Sequence, residues 1–498
     1  MGSAGTAFAV EPVAPNKPVV SSIDYPTGGF HGSPGRTGIF TFSPDGSADV
    51  VRYGWSLNTD TTANRVEANG PVDVPVTPSQ SGPNALYVRA YDQAGTPSPV
   101  ATYLFMVADL SRPVAAWNLD ETDGTTAADT TGHGHALTLN GATFGPGYSN
   151  NGQVNAAGSF ASTSAAVIDT SRAFSVSAWV KLDDEDSSYT IAGQGNGFSL
   201  GYANGRWSFG TASSTTSPQA GEWTHLLGTY EPGQVSLYVN GKLEGTATAT
   251  LANASGPFVL GPGQATATID HVQVWDRALS AAEAIKHNNF VVPRARYLFD
   301  EREGVTTKDE VSGASGTLSD GVTWAGTPID PDDPNQYLTS EDKWARFDPS
   351  GQVAVPRPAD LRTDRSFTVS AWVRPSELGD TAGTVLGTSD GSFILSYRPD
   401  VHRWGLQMGE AIVHSVYPAE ANTWVHLAAT YDATTGTAAF YINGEHYQDD
   451  LTGLQSLNGT GDLLVGGGVT GAIDDPRVWS GVMDEQDVFR LRLSSLHR

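Results

Sequence analysis

The sequence predicts an all-β protein built from three sandwich domains, and three observations support this prediction. The 498 residues include 56 glycines and 29 prolines, which separate short runs rich in valine, threonine and aromatic residues. Such alternation of strand-forming runs and turn residues is typical of many-stranded β proteins. A long segment also occurs twice, because Phe174–Val180 (FSVSAWV) returns as Phe367–Val373 (FTVSAWV). A chain of this length accommodates about three domains.

The N-terminal part is predicted to contain a leader and one small sandwich. Residues 1–14 have neither the basic nor the full apolar region of a signal peptide, so we expect a disordered leader or remnant there. Within residues 15–108, three segments alternate apolar with small or polar residues: Thr37–Phe42, Val51–Trp55 and Ala85–Asp92. About seven short strands in a segment of this size predict an immunoglobulin-like or fibronectin-like sandwich, with the role of a spacer or support.

The rest of the chain, residues 109–290 and 291–498, contains two copies of one domain. Further matches follow in the same order: Trp223-Thr224-His225 with Trp424-Val425-His426, Leu237–Gly241 with Phe440–Gly444, and Ile269–Trp275 with Ile473–Trp479. Solenoid and propeller repeats are roughly 20–50 residues long, so this much longer period indicates tandem domains. The joint between the copies, Phe290-Val291-Val292-Pro293-Arg294, is short and apolar, so we expect the two domains to pack as neighbours.

One short helix is predicted at the end of the first copy. Ser280 is a suitable N-cap, and Glu283 stands three residues later, where it closes a capping box.

Composition excludes several classes of function. The 54 acidic and 28 basic residues give a formal charge of −26, which would repel a phosphate backbone, so we expect no nucleic-acid partner. No apolar run approaches the roughly 18–20 residues that span a bilayer, so we expect no membrane insertion. The absence of cysteine excludes disulfides, thiolate zinc sites and cysteine nucleophiles.

Six motifs of the first copy occur in an order that resembles laminin-G-like, concanavalin A-like jelly-roll domains: Trp117–Glu121, Asp129–Gly134, Phe174–Val180, Trp223–His225, Leu237–Gly241 and Ile269–Trp275. The second copy resembles the family through Leu298–Glu301, Ala371–Val373, Trp424–His426, Tyr441–Gly444 and Ile473-Asp474. The resemblance implies two packed antiparallel sheets per domain and a secreted, extracellular protein, usually from Gram-positive bacteria. The predicted fold class is therefore an immunoglobulin-like sandwich followed by two concanavalin A-like jelly-roll sandwiches. The jelly roll implies no single function, because lectins, adhesins, spacers and glycoside hydrolases share it.

Three aspartates of the first copy recur in the second, as the pairs Asp120/Asp300, Asp129/Asp309 and Asp270/Asp474. Oxygen ligands from the first and last strands of a domain suit calcium. The family resemblance also implies one structural calcium where the beginning and end of the domain meet. We therefore predict that these six aspartates are calcium ligands. The alternative for Asp129 and Asp309 is that their carboxylates cap turns.

Eight of the 12 tryptophans form four matched pairs: Trp179/Trp372, Trp207/Trp404, Trp223/Trp424 and Trp275/Trp479. Three of these pairs belong to apolar strand motifs and are predicted to be core. Trp207 and Trp404 instead follow turns, and each has an arginine before it, Arg206 and Arg403. A ring beside a guanidinium can stack on a sugar and reach its hydroxyls, so these four residues are the predicted ligand-binding set. The alternative is packing at a strand edge.

The sequence favours recognition over catalysis. Retaining glycosidases need two carboxyl groups about 5–5.5 Å apart, and hydrolases of the resembled fold supply them from a Glu-x-Asp-x-x-Glu strand pattern that this chain lacks. We expect a secreted, non-catalytic protein that binds a glycan or a cell-surface protein through calcium-stabilised jelly rolls. The alternatives are a structural spacer or assembly module of a larger extracellular polypeptide, and a glycoside hydrolase with an unrecognised site.

Overall fold

The computed structural model describes residues 14–32, 37–107, 112–185, 188–263, 266–326, 343–358, 360–446, 449–454 and 458–494. The predicted leader, residues 1–14, lies outside the described residues except for its last residue. The chain divides into two compact units, Met1–Pro113 and Val114–Arg498. Among the described residues, no helix is long and apolar enough to cross a membrane.

The N-terminal unit has its described strands in two sheets, one in the order β1-β3-β6 and one in the order β2-β8-β7-β4-β5. The strands are β1 (Val19–Ser22), β2 (Phe30–His31), β3 (Gly38–Ser43), β4 (Val50–Leu57), β5 (Asn64–Glu67), β6 (Val72–Val76), β7 (Gly82–Asp92) and β8 (Ala101–Val107). Alternate residues of β3, β7 and β8 are buried, and Phe40, Phe42 and Phe105 are among the core side chains. The predicted alternation is confirmed for Thr37–Phe42 and Ala85–Asp92 but is wrong for Val51–Trp55, where the adjacent Tyr53 and Gly54 are both buried. The assignment to the immunoglobulin class stays a prediction.

The described residues of the first jelly roll form two sheets of eight strands and one helix. One sheet has the order β10-β11-β14-β23-β16-β17-β18-β19, and the other has the order β12-β13-β24-β15-β20-β21-β22 with β9 paired to β24. The elements are β9 (Ala115–Trp117), β10 (Thr126–Ala127), β11 (Leu137–Asn140), β12 (Thr143–Pro146), β13 (Asn151–Asn155), β14 (Phe160–Ser162), β15 (Phe174–Leu182), β16 (Tyr189–Gln194), β17 (Phe198–Ala203), β18 (Arg206–Phe209), β19 (Ala212–Ser213), β20 (Trp223–Glu231), β21 (Gly233–Val239), β22 (Lys242–Ala249), β23 (Phe258–Leu260), β24 (Ala267–Trp275) and α1 (Ala281–Asn288).

The second jelly roll repeats this arrangement in the part of the chain described. Its sheets have the orders β28-β29-β39-β31-β36-β37, with β25 paired to β39, and β26-β27-β30-β38-β32-β33-β34-β35. The elements are β25 (Val292–Arg296), β26 (Thr306–Lys308), β27 (Ser315–Leu318), β28 (Val322–Gly326), β29 (Lys343–Phe347), β30 (Gln352–Val355), β31 (Phe367–Pro375), β32 (Gly383–Thr388), β33 (Ile394–Arg398), β34 (Arg403–Met408), β35 (Ala411–Pro418), β36 (Val425–Asp432), β37 (Thr437–Ile442), β38 (Leu463–Gly466), β39 (Gly471–Ser480) and α2 (Glu485–Ser494).

The repeated sequence segment forms the central strand of one sheet in each jelly roll. All residues of β15 except Lys181, and all of β31 except Arg374, are buried, so each strand is covered on both faces. β15 lies between β20 and β24, and β31 lies between β36 and β39. The register is also repeated, because Trp179 is opposite Asp270 and Trp372 is opposite Asp474.

The last strand of each jelly roll carries a β-bulge next to its aspartate. The pairing of β15 with β24 shifts between Ser177 and Trp179, and the pairing of β31 with β39 shifts between Ser370 and Trp372. The residue after the aspartate has a left-handed backbone in both copies, with φ 47° at His271 and φ 45° at Asp475. Such a conformation is uncommon for a non-glycine residue, so the surrounding ladder must hold it in place.

The predicted helix is present and begins as expected. The Ser280 side chain accepts from the backbone N–H of Glu283, and the Glu283 side chain accepts from the backbone N–H of Ser280. These reciprocal bonds satisfy two backbone donors that the first turn of a helix leaves free. The capping box is therefore confirmed.

Candidate functional site

The tryptophans predicted to stack on a ligand are core residues. Trp207 is 2% exposed and Trp404 is 3% exposed, and both belong to the cores between the sheets. Trp207 alternates with exposed Arg206 along β18, so the ring points inwards while the arginine points outwards. Both rings therefore pack in the cores, as the alternative expected, and their binding to a ligand stays a prediction.

The two arginines of the same predicted set hold neighbouring backbone. Arg206 Nη1 donates to the carbonyl oxygens of Ser214 and Thr215. Arg403 Nη1 donates to the carbonyl of Ser415 at 2.7 Å and to that of Val416 at 2.6 Å. Each arginine therefore ties its strand to the following segment, in the same way in both copies.

The Asp129 and Asp309 carboxylates each accept from the backbone N–H two residues later and so cap the turn that follows, as the alternative interpretation expected. Asp129 accepts from the backbone N–H of Thr131 at 3.0 Å and from that of His135 at 3.0 Å. Burial opposes ionisation of Asp129, but these hydrogen bonds and that from the Thr131 hydroxyl outweigh it and lower its pKa. Asp309 accepts from the backbone N–H of Arg296 at 2.8 Å. Both carboxylates are thus engaged by protein donors.

The other aspartates lie at the start and end of their domains. Asp270 is fully buried, accepts from the backbone N–H of Ser149 at 2.9 Å, and has a pKa raised by burial. Asp474 is 7% exposed on β39, while Asp120 is half-buried and Asp300 is exposed. Within the described residues, no group of three or more histidine, aspartate or glutamate side chains could hold a metal ion. The structure therefore does not bring the three aspartates of a domain together as one cluster, and calcium binding stays a prediction.

A cleft of about 810 Å³ lies between the two jelly rolls. The first jelly roll contributes the segment 216–224, which leads into β20, together with Tyr148, Trp179 and the predicted ligand residue Trp207. The second contributes residues from 357–358 and 360–366, which precede β31, together with residues near the end of β39. Ligand sites are often found at such domain junctions, and this volume falls within their usual range of about 300–1,000 Å³. We call this space the cleft.

Arg294, from the joint between the repeats, connects both jelly rolls beside the cleft. Its side chain is buried, with Nε donating to Ser480 Oγ at 2.7 Å and Nη1 donating to the Tyr148 carbonyl at 2.9 Å. The guanidinium also lies 4.6 Å from the centroid of the Tyr148 ring. A buried cation is tolerated only when such partners replace its hydration, so these contacts fix the joint. The expectation that the repeats pack as neighbours agrees with this contact.

Arg362 forms a second connection across the cleft. It donates to Asp364 through Nε at 2.9 Å and through Nη2 at 2.7 Å, and Nη1 pairs with Glu222 of the first jelly roll. The Asp364 hydrogen bond raises the pKa of Arg362. Burial opposes ionisation of Asp364, but Arg362 outweighs it and lowers the Asp364 pKa. Arg362 and Asp364 are therefore charged near neutral pH.

Aromatic rings line the side of the cleft formed by the first jelly roll. Tyr148 stacks on Trp179 with centroids 3.7 Å apart and an interplanar angle of 9°, and it meets Trp223 edge-on at 5.7 Å. Tyr148, Trp179 and Trp223 are 6%, 7% and 8% exposed. The Trp223 indole N–H is buried and has no hydrogen-bond partner within the described residues. The three rings therefore present only small surfaces to the cleft.

His225 lies on β20 but has the properties of a structural residue. It is 2% exposed, and its ring lies 5.2 Å from that of Trp179. Burial lowers the pKa of His225 to about 3, so the imidazole is neutral near pH 7.

The family of the two repeats is shown by sequence comparison. The Laminin_G_3 family, described as the concanavalin A-like lectin/glucanases superfamily, matches residues 154–284 and 347–489, which together are just over half of the chain. The chain therefore belongs to this superfamily. A search of curated proteins finds no match.

Solved structures with low similarity to this chain have diverse activities. Domain 4 of AbnA, an extracellular arabinanase of Geobacillus stearothermophilus in complex with arabinotriose, is 19% identical, with 41% of this chain and 98% of that chain covered, at a TM-score of 0.29. The binding domain of botulinum neurotoxin serotype G is 11% identical, with coverages of 75% and 99% and a TM-score of 0.34. The sialidase of Trypanosoma rangeli, in complex with sialic acid, is 12% identical, with coverages of 92% and 81% and a TM-score of 0.31. These low scores carry no inference about what this chain binds.

Most residues of the cleft were not predicted from the sequence. Arg294 contacts Tyr148, and Arg362 contacts Glu222, only because the two repeats pack together. The sequence of each repeat carries no information about which residues face the other repeat. The available signal was the short apolar joint, which predicted packed neighbours. Trp179 and Trp223 were recognised as a matched set, but their strand motifs indicated only core positions.

We predict that Trp207→Ala and Trp404→Ala each lower the free energy of unfolding by about 3–5 kcal/mol, because each removes a buried ring and leaves a cavity. Chemical denaturation followed by circular dichroism measures the loss. Leu243→Ala is the control, since Leu243 is 55% exposed on the first jelly roll and its truncation should cost no more than about 0.5 kcal/mol. Losses equal to that of the control would contradict core positions for the two rings.

We predict that Asp129 stabilises the first jelly roll in a pH-dependent manner. Its folded-state pKa is lowered, so its contribution is fully present above the ordinary aspartate pKa of about 3.9 and disappears as the pH falls through the lower folded value. Asp129→Ala should therefore cost about 1–3 kcal/mol at pH 7, and the difference from wild type should shrink below about pH 4. Denaturation in chelator-containing buffer measures this; a difference that stays constant with pH would contradict the assignment.

Proposed function

We propose that this protein recognises a glycan in the cleft between its two jelly rolls. The observation that carries the proposal is the combination, within about 810 Å³, of aromatic rings with many hydrogen-bonding side chains. Sugars present apolar C–H faces together with closely spaced hydroxyls, so a site for them needs both kinds of surface.

The polar groups that line the cleft fit this role. Amides of Gln219, Asn240 and Asn458 and hydroxyls of Thr216 and Ser217 lie in the lining. Amide groups both donate and accept, and so do hydroxyls, which suits the dual character of sugar hydroxyl groups. The interdomain contacts of Arg294 and Arg362 support a site that is already formed before a ligand arrives, and less conformational freedom is then lost on binding.

Two carboxylates of the cleft, Glu244 and Asp364, favour binding over hydrolysis. A glycosidase needs a carboxylic acid whose pKa is raised so that it can donate a proton. Burial opposes ionisation of Glu244, but its hydrogen bonds from Thr215 and Thr216 outweigh it and lower its pKa. The Asp364 pKa is lowered as well. We therefore propose a non-catalytic protein, with the spacer and hydrolase alternatives as outcomes of the test below.

We further propose that calcium stabilises the jelly rolls as a structural ion. In the first jelly roll, the buried Asp120 Oδ1 and Glu121 Oε2 have no hydrogen-bond partner within the described residues. Asn151 Nδ2 donates to the Glu121 carbonyl at 3.0 Å, while the Ser149 N–H donates to Asp270, so one turn contacts both acidic segments. An all-oxygen donor set of this kind fits a hard cation. Bound calcium would neutralise these carboxylates and link the beginning and end of the domain.

The proposal includes export and a supporting role for the N-terminal unit. Glycans and cell-surface proteins are extracellular partners, so the protein is proposed to be secreted. The two sheets of the N-terminal unit support its assignment as an immunoglobulin-like or fibronectin-like spacer.

We predict that Ser217→Trp weakens glycan binding at least about tenfold, because the new ring fills the cleft from an exposed loop position and displaces the ligand. Binding of wild type and variant to a glycan array identifies the ligand, and calorimetry measures the affinity. Thr250→Trp, also exposed but outside the cleft lining, is the matched control. If the Ser217→Trp variant still binds the glycan, the site lies elsewhere. If the wild type binds no glycan at all, the spacer alternative is favoured. If the wild type releases sugar, the hydrolase alternative is favoured.

We predict that a chelator lowers the melting temperature and that calcium restores it, because an ion bound only by the folded state stabilises that state by about 2.7 kcal/mol at a hundredfold excess over its Kd. The double variant Asp270→Ala plus Asp474→Ala should lose this sensitivity. Differential scanning calorimetry measures both effects. Asp129→Ala plus Asp309→Ala is the comparison, because loss of turn caps should leave chelator sensitivity intact. Unchanged melting of the wild type with chelator would contradict the calcium proposal.

A further inference from the structure

Arg365 is a half-buried cation that lines the cleft without a protein partner. It lies two residues before β31, on the wall formed by the second jelly roll. Within the described part of the chain, its guanidinium takes part in no hydrogen bond and no ion pair. Glu222 and Tyr148 of the first jelly roll interact with it electrostatically, so it faces the opposite wall.

The environment of Arg365 is unfavourable for its charge. Burial lowers the pKa of Arg365, and the neighbouring Arg362 cation lowers it further. A guanidinium carries five N–H donors and cannot shed its proton near neutral pH, so it gains free energy when an acceptor enters. This contrasts with Arg294, whose donors reach Ser480 and the Tyr148 carbonyl.

The carboxylates near Arg365 are already engaged by other donors. Glu222 and Asp364 both bind Arg362. Glu244 accepts from the backbone N–H groups of Thr215 and Thr216 at 2.9 and 3.0 Å. None of these groups hydrogen-bonds to Arg365 in the described structure, so its donors are open to an acceptor from outside the chain.

The cleft is also less acidic than the protein as a whole. Its lining contains four basic residues, Lys242, Arg357, Arg362 and Arg365, and four acidic ones, Glu222, Glu244, Asp360 and Asp364. The whole chain has 28 basic against 54 acidic residues. Lys242 is exposed and, within the described residues, forms no ion pair. A single anionic group can therefore enter the cleft without the repulsion that the rest of the surface would exert.

We propose that the glycan bound in the cleft is acidic and that Arg365 pairs with its carboxylate, with Lys242 as a second cation in the lining. This inference rests on the proposed function and adds the class of ligand to it. The planar guanidinium fork matches the two oxygens of a carboxylate, and the bond formed is charge-assisted. Uronic acids and sialic acids are the sugar classes that carry this group.

The test uses the full chain and a set of matched oligosaccharides. Each acidic member, with a uronic or sialic acid, is paired with its neutral counterpart, and sulfated members are included. We expect the acidic members to bind at least about tenfold more tightly than the neutral ones, and this preference to weaken with salt. Arg365→Met should remove the preference, while Arg365→Lys, which keeps the charge but not the fork, should retain part of it.

Two controls separate recognition from structure. Arg172→Met removes an arginine whose side chain is 84% exposed and that is not part of the cleft lining, and it should leave affinity unchanged. The melting temperature of Arg365→Met should equal or exceed that of wild type, since an unpartnered cation is lost; a marked decrease would mean that Arg365 is structural and would overturn the inference. Equal binding of acidic and neutral members, or a preference for sulfated ones, would overturn it while leaving glycan recognition intact. Binding of no member would overturn both proposals.

Discussion

Each jelly roll depends on one central strand that is covered on both faces. β15 and β31 are buried at all but one position, and each is hydrogen-bonded along both edges. A strand in this position tolerates neither a register shift nor a polar side chain without a partner, because a shift by one residue exchanges its two faces. The central strand also positions the strands on either side of it, which are β20 and β24 in the first jelly roll and β36 and β39 in the second. The repeated register opposite Asp270 and Asp474 follows from the same constraint.

The fold was largely predictable from the sequence because its signals are local. The repeated FSVSAWV and FTVSAWV segments identify the central strands, and Ser280 with Glu283 identifies the helix start. The burial of the Trp207 ring was not predicted, and the reason is local as well. A turn followed by Arg-Trp suggests an exposed edge, but strand alternation places the arginine outside and the ring inside. An exposed ring and a buried ring at this position can be distinguished only by whether the opposite sheet packs against it.

The candidate site could not be predicted in the same way, because it is a product of packing between repeats. Arg294, Arg362 and Arg365 look alike in the sequence, yet they differ in the acceptors that surround them. Arg294 has a hydroxyl, a carbonyl and a ring, Arg362 has two carboxylates, and Arg365 has no hydrogen-bond acceptor in the described part of the chain. Because the cost of burying a cation depends on such partners, three residues of one type acquire three different roles.

The contact between the jelly rolls joins unlike surfaces of two similar domains. The first contributes the segment leading into β20, and the second contributes the segment preceding β31, so no rotation axis relates the two walls. A dimer of one jelly roll with twofold symmetry would present every residue of its interface twice, so any contact between two different residues would occur in two equivalent copies. Covalent duplication removes that restriction. Each wall can change by mutation without altering its counterpart, and a protein with two repeats has a single asymmetric cleft.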